Sequence, residues 1–384
     1  MLKIIFENPW VSLASVFGVF TCYLLLNSYR ERIHIQRLGS LPPRAPFYLP
    51  FGLDIAFRGL YTTYKHEDLN LWTWLFSHSP NKSSPTVETY IGRQRFIFTA
   101  DPENIKAILA TQFQDYGKGK SFHEDWKHFL GDGIFNSDHE NWHASRQLIR
   151  PQFVKERMRD LDIFEKHVQS VIVRLGGQGQ EVDVAALFYR YTLDGATDYL
   201  LGQSVDSQDN PQTDFAESFN EVQRFQSQVA RVGPLNVLLP RNSFWRALKR
   251  INTFVEPYVE QALRMNLQDL KQLSNQSFLQ AVAATGTRDR KVIRDQCVNI
   301  LLAGRDTTAG TLSFLFMELS KHPEMMAKLR KEILEKVGNF KRPSYEDLKS
   351  MPYLKNVMNE VLRLYPSVPF NVSLQREDLS SSQS

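Results

Sequence analysis

Residues 10–26 form an apolar run interrupted only by Ser12, Ser15, Gly18 and Thr21. As a helix the run spans roughly 25 Å, enough for a thin bilayer. Arg30, Arg32 and Arg37 follow it, whereas Lys3 and Glu7 offset each other before it. This asymmetry predicts an uncleaved single-pass anchor at 1–30, with the globular part in the cytosol. A cleaved signal peptide would carry its charge on the other flank and end on a small-x-small site, which Asn27-Ser28-Tyr29 does not offer. Pro42, Pro43, Pro46 and Pro50 stiffen a basic, Pro-rich hinge at 31–50. Alternating positions over 87–98 predict a hairpin, and Asp101-Pro102 starts a helix as N-cap and first position. Amphipathic periodicity then predicts long helices over about 141–175, 213–231, 244–273, 290–320 and 322–337. Ser344-Tyr345-Glu346-Asp347 reads as a capping box, and a last helix runs over about 353–364, stopping before Pro366. The class is mainly α with a small early sheet. Residues 373–384 hold two apolar positions and are expected to be disordered.

Composition narrows the functions. The 384 residues are 42% hydrophobic and 12% aromatic, enough for a large core. A formal charge of +4 argues against a dedicated nucleic-acid binder. The two cysteines, Cys22 and Cys297, form no CxxC pair, so a disulfide framework or multi-cysteine zinc site is excluded and a reducing compartment is implied.

Four motifs carry candidate chemistry. His139-Glu140-Asn141-Trp142-His143 matches the H-E-x-x-H pattern of zinc peptidases, in which one helix face presents two imidazoles beside a glutamate base. Turn residues before His139 place it at a helix start, and the third-ligand candidates Glu165 and His167 lie in no recognisable signature. Gly119-Lys120-Ser121 imitates a phosphate loop but lacks the required glycine, since position 114 is Gln.

Ala303-Gly304-Arg305-Asp306-Thr307-Thr308 is the strongest signal. It sits in the middle of a helix that is apolar on most sides, where a glycine costs about 1 kcal/mol and a buried carboxylate costs more. Gly304, Thr307, Thr308 and Thr311 share one face. Gly304 would admit something flat to the backbone while Asp306 and the threonines pass protons. A purely structural alternative has the threonine hydroxyls bonding back one turn and Asp306 paired with a buried arginine. Glu360 and Arg363 share a face at i, i+3, with apolar neighbours that hint at burial. Trp142 and Arg146, one turn apart, either pack and solvate separately or bind an anion together.

In this order, the motifs resemble the cytochrome P-450 family of haem-thiolate monooxygenases, over nearly all of residues 1–372. The resemblance implies that Trp142 and Arg146 neutralise a haem propionate and that Ala303 and Gly304 make room above the porphyrin. Asp306, Thr307 and Thr308 would deliver protons for dioxygen activation. Glu360 and Arg363 would form a structural ion pair. Gly131-Asp132-Gly133-Ile134-Phe135 and the 305–310 segment resemble the fungal branch that hydroxylates n-alkanes and fatty acids. Phe122, Phe129 and Phe153 are candidate pocket walls. Arg150, Lys155, Arg157 and Arg159 are candidates for docking an NADPH-dependent reductase. Single-pass placement in the endoplasmic reticulum membrane fits this resemblance.

The chain departs from the family in one decisive place. No Phe-x-x-Gly-x-x-x-Cys-x-Gly loop is present to supply the axial cysteine, and family character is lost after Val372. The expected organisation is therefore an incomplete fold: anchor 1–30, hinge 31–50, partial haem domain 51–372 and a non-native tail 373–384. Such a product is expected to be inactive and poorly folded. A zinc peptidase using His139, Glu140 and His143, and a non-catalytic membrane-anchored binding protein, are the alternatives from other classes.

Overall fold

A computed structural model describes residues 42–375, except Arg93, 154–158, 178, 274–275 and 340, together with scattered positions among 15–39. The described positions of 15–37 are helical, but most of the 10–26 run lies outside the described residues. Among those described, no helix is long and apolar enough to cross a membrane. The chain divides into two compact units, Met1–Thr111 and Gln112–Ser384.

In the first unit, α1 (Leu53–Tyr64) and α2 (Asp68–Phe76) precede the hairpin of β1 (Thr86–Ile91) and β2 (Gln94–Thr99). The strands pair antiparallel from Thr86↔Thr99 to Ile91↔Gln94, and Gly92 takes the positive φ that the turn demands. Ala45, Leu75 and Val87 form the local core, with the Phe98 ring edge-on to Trp72 at 5.3 Å. Next comes α3 (Pro102–Lys106), where the Asp101 carboxylate accepts from Glu103 N at 2.8 Å and Asn104 N at 3.2 Å.

The second unit is helical. Its elements are α4 (Gly119–Leu130), α5 (His139–Ile149), α6 (Arg159–Arg174), α7 (Val184–Leu201), α8 (Asp214–Val232), α9 (Asn242–Arg264), α10 (Leu267–Gln272), α11 (Phe278–Ala284), α12 (Arg290–Lys321), α13 (Pro323–Lys336), α14 (Tyr345–Lys349) and α15 (Pro352–Leu364). Phe129, Leu193, Phe219, Phe244, Ile251, Phe278 and Val298 are among the residues of the main core, which α4, α7, α8, α9, α11 and α12 close around. The helix expected over 141–175 is two helices, because Arg150–Phe153 forms a 3₁₀ turn at Pro151, where the backbone lacks an N–H. The capping box at Ser344 forms, with Asp347 N donating to Ser344 Oγ at 3.1 Å and Ser344 N donating to Asp347 Oδ2 at 2.8 Å.

One expectation is corrected at the C-terminal end. Disorder does not begin at Ser373: β4 (Leu374–Gln375) pairs antiparallel with β3 (Tyr116–Gly117) in a second small sheet. Leu374 lies against Gly119, whose positive φ and lack of a side chain permit the contact. Lys118 Nζ donates to the Val372 carbonyl at 2.8 Å. Residues 376–384 lie outside the described residues.

Candidate functional site

The site is built on α12, whose 32 residues extend about 48 Å. Its N-terminus is capped by Asp289, which accepts from Lys291 N at 2.8 Å and Val292 N at 3.2 Å. Two turns in, Asp295, Gln296 and Asn299 are fully buried, and each hydrogen-bonds outside α12, though Gln296 Oε1 has no partner. Asp295 Oδ2 accepts from Asp132 N at 2.9 Å. Asn299 accepts from Phe135 N at 3.0 Å and donates to the Leu130 carbonyl at 2.8 Å. Gln296 Nε2 donates to Ser145 Oγ at 2.8 Å, joining α12 to α5.

These contacts explain Gly131-Asp132-Gly133 structurally. A Cβ at Gly131 would stand 1.9 Å from Asp295 Oδ2, and one at Gly133 would stand 2.1 Å from Asn299 Nδ2. The turn reaches α12 only because both positions are bare. It hands the chain directly to α5, which carries Trp142 and Arg146. This role of the turn, and the buried trio it docks on, are what reading the sequence missed. Three amides and acids at i, i+1 and i+4 in an otherwise apolar helix were the available signal.

The centre of α12 has an open face. Gly304 and Thr308 are exposed, and Ala303 and Thr307 are half-buried. Among the described residues, a Cβ on Gly304 would meet only Ala196 Cβ, at an ordinary 3.8 Å, so none of them requires a glycine there. Thr307 Oγ1 donates to the Ala303 carbonyl at 2.5 Å. The Thr307 carbonyl in turn accepts from Thr311 Oγ1 at 2.8 Å and Ser367 Oγ at 3.2 Å.

Asp306 turns elsewhere. Its Oδ2 accepts from Gln223 Nε2 on α8, and its Oδ1 stands 3.3 Å from Arg305 Nη1 with no hydrogen-bond partner. Burial pushes the Asp306 carboxyl above the usual carboxylate range, opposed by the Arg305 charge and the Gln223 hydrogen bond. Burial likewise lowers the Arg305 guanidinium, so for both partners desolvation outweighs pairing. Both parts of the structural alternative are therefore realised: Thr307 bonds back one turn, and Asp306 has a buried arginine beside it. Asp306 and Thr307 hydrogen-bond to different partners.

On α5, the Arg146 guanidinium lies 5.3 Å from the Trp142 ring centre, and Phe113 supports that ring at 5.0 Å. Arg146 is exposed, and no carboxylate among the described residues pairs with it. Glu360 and Arg363 form a two-pronged pair at 2.7 and 2.8 Å. The hint of burial is corrected: the pair is exposed, because α15 packs Val361, with Tyr353, Leu354 and Val357, onto Leu315, Leu319 and Leu329 and points Glu360 and Arg363 away.

The zinc reading finds no support among the described residues. His139, Glu140 and His143 are all exposed, and His139 has a positive φ at the first position of α5. No group of three metal-capable side chains exists among the described residues. Of the other candidates, Phe129 is core against Phe219 at 5.7 Å, Phe122 stacks on Trp126, and Phe153 is exposed. Lys155, Arg157 and the Arg159 side chain lie outside the described residues. Cys297 is buried in the main core, and burial pushes its thiol up to about 12.

The open glycine of α12 and the arginine without a carboxylate on α5 fit a flat anionic group such as a haem. The comparisons agree. The family model described as Cytochrome P450 matches residues 60–381, running into the polar stretch after Ser373. Cytochrome P450 monooxygenase pvhE of Talaromyces variabilis is 42% identical over 391 residues, covering 97% of this chain and 72% of that protein. Cytochrome P450 52A12 of Debaryomyces hansenii is 36% identical over 396 residues, covering 98% and 75%. Cytochrome P450 52A1 of Candida tropicalis is 43% identical over 294 residues, covering 72% and 54%. The solved haem domain of cytochrome P450DA, 20% identical, superposes with a TM-score of 0.69 over 84% of this chain and 69% of that one, which speaks to the fold. Matched along most of its length and built around this central helix, the chain belongs to the cytochrome P450 family of haem-using monooxygenases.

Proposed function

We propose that this chain is a monooxygenase for long apolar substrates, n-alkanes or fatty acids. Haem, when bound, supplies the oxidising chemistry that places one oxygen atom of dioxygen in the substrate. Ala303, Gly304, Thr307 and Thr308 would form the face of α12 against it, and Trp142 with Arg146 would hold a propionate. Asp306 and the Thr307 hydroxyl would hold and move the protons the reaction consumes, and Glu360 with Arg363 would brace α15. The observation that carries the reading is the open glycine at 304 in the middle of the long central helix, since no close packing among the described residues accounts for it.

Cys297 would not supply a thiolate to the haem. A thiol held at about 12 is protonated at neutral pH, and it sits inside the core. The substrate class rests on the 131–135 and 305–310 motifs and on relatives from Debaryomyces and Candida. An NADPH-dependent reductase is the electron donor in this reading, with 1–30 as a single-pass anchor in the endoplasmic reticulum membrane. The test has two arms. The 384-residue polypeptide with excess haem is expected to lack the thiolate-type ferrous–CO Soret band. The same chain extended by a family cysteine loop is expected to show that band and a type I spectral change with dodecane or laurate. A thiolate-type band from the 384 residues alone would overturn the ligand assignment, and an extended haem protein indifferent to both ligands would overturn the substrate class.

A further inference from the structure

Gln223 on α8 meets two groups of α12 at once. Its Oε1 accepts from Arg305 Nη1 at 3.1 Å, while its Nε2 donates to Asp306 Oδ2. Flipping the amide would set its NH₂ against the guanidinium and its oxygen against the carboxylate, so the network dictates its orientation. One turn earlier, Asn220 Oδ1 accepts from Arg305 Nη2 at 2.7 Å. The Arg305 guanidinium is otherwise enclosed by the Phe219 ring at 5.4 Å and the Tyr189 ring at 5.6 Å. The charged and titratable groups facing Asp306 are thus Arg305 on its own helix and Tyr189 on α7, and α8 presents the neutral Gln223. The chemistry of that position is specific. A glutamate there would satisfy Arg305 and repel Asp306, and a lysine would do the reverse. An amide serves an acid and a base together without carrying a charge.

We infer that Gln223 is a positioning residue for Asp306: it holds the carboxyl on the α8 side and, by bonding its charged form, sets the pH range over which that carboxyl exchanges its proton. The inference rests on the monooxygenase reading for the use made of that proton, though not for the contact itself. The direction agrees with the hydrogen bond from Gln223 acting downward on a carboxyl that burial raises.

The test reads the Asp306 carboxyl directly. Infrared titration of the folded polypeptide, with Asp306→Asn to assign the protonated carboxyl band, gives its midpoint without any turnover. Gln223→Glu is nearly isosteric and keeps the acceptor for Arg305 while removing the donor to Asp306. Gln223→Asn keeps the amide but withdraws it by one methylene. Both are expected to move the midpoint to higher pH by about one unit or more, the worth of a hydrogen bond to a charged group. In Gln223→Asn a purely structural role in joining α8 to α12 would leave the midpoint in place, whereas in Gln223→Glu the added charge raises it by repulsion as well, so the Asn variant discriminates. An unmoved midpoint in either variant that retains the parent's circular dichroism overturns the assignment of Gln223. In a chain completed with a cysteine loop, an Asp306→Asn variant that hydroxylates with full coupling of oxygen to product overturns the proton role on which the inference rests.

Discussion

Replacing Gly304 by alanine separates what the fold needs from what the cofactor needs. Mid-helix glycine costs about 1 kcal/mol relative to alanine, so the substitution should stabilise α12 by that amount unless the methyl meets something. The structure gives it one neighbour, Ala196 Cβ, at 3.8 Å, an ordinary van der Waals contact. The cofactor-free protein should therefore gain up to about 1 kcal/mol in urea unfolding, seen as a higher midpoint with an unchanged slope. Haem should respond in the opposite sense. A methyl pressed into a face that takes a flat group overpacks it at about 1–3 kcal/mol, a loss of roughly 5- to 140-fold in affinity. Titration of parent and variant with haem, followed by Soret absorbance, reads that arm. A loss of stability in the cofactor-free variant would mean that this face of α12 is closed by the protein itself. Unchanged haem affinity would mean that Gly304 does not face the porphyrin. Either result refutes the reasoning that selects this residue.

Three further outcomes follow from the same geometry. Cys297 should react with a disulfide reagent only on unfolding, because it is buried and its thiol is pushed up to about 12; fast labelling of folded Cys22→Ser protein would contradict this. Asn299→Ala strands Phe135 N and the Leu130 carbonyl and should destabilise the protein by about 1–3 kcal/mol in urea, with Trp142 fluorescence altered as the turn before α5 loosens. The Asp306 carboxyl has a folded pKa above its unfolded value, so the native state binds the extra proton in between; its contribution to stability should fall as pH rises from about 3.8 through the folded pKa, and Asp306→Asn should flatten that part of the stability profile.

What the sequence discloses, and what it hides, follows from where each signal resides. The hairpin and the starts of α3 and α14 were legible because their signals are local: Gly92 at the turn, Asp101 before Pro102, and Ser344 with Asp347. Helices α8, α12, α13 and α15 were legible from their apolar positions. By contrast α7 escaped notice although it packs along α12. Leu187, Phe188, Thr192, Leu193, Asp194, Gly195, Thr197, Leu200 and Leu201 are all buried, so it is enclosed on several sides and shows no clean apolar stripe. Its Asp194 is held by Ser207 Oγ at 2.7 Å and Gln208 N at 3.0 Å, partners that no local pattern announces.

The site divides in the same way. The residue types at 303–308 and at Trp142 and Arg146 stand out in the sequence because they are improbable where they stand. Their partners are invisible in one dimension: Gln223 lies 83 residues from Asp306, and Ser145 lies 151 residues from Gln296. The Glu360–Arg363 pair marks the limit of reading neighbours as surroundings. Leu362 and Leu364 flank Arg363 in sequence, yet they are themselves exposed, because a helix buries what recurs every third or fourth residue, here Val357 and Val361. The Gly131-Asp132-Gly133 turn teaches the converse. It was used as a family mark, but its glycines answer to Asp295 and Asn299, which need bare backbone within reach of their side chains. The same trio that makes α12 costly to bury thus fixes where α5 begins. Arg146 stands one residue beyond the Ser145–Gln296 bond, and Gly304 lies eight residues, about 12 Å, further along α12. The proposed anion clamp of Trp142 and Arg146 and the open glycine therefore share a single fixed point, and a substitution at Gln296 should disturb both.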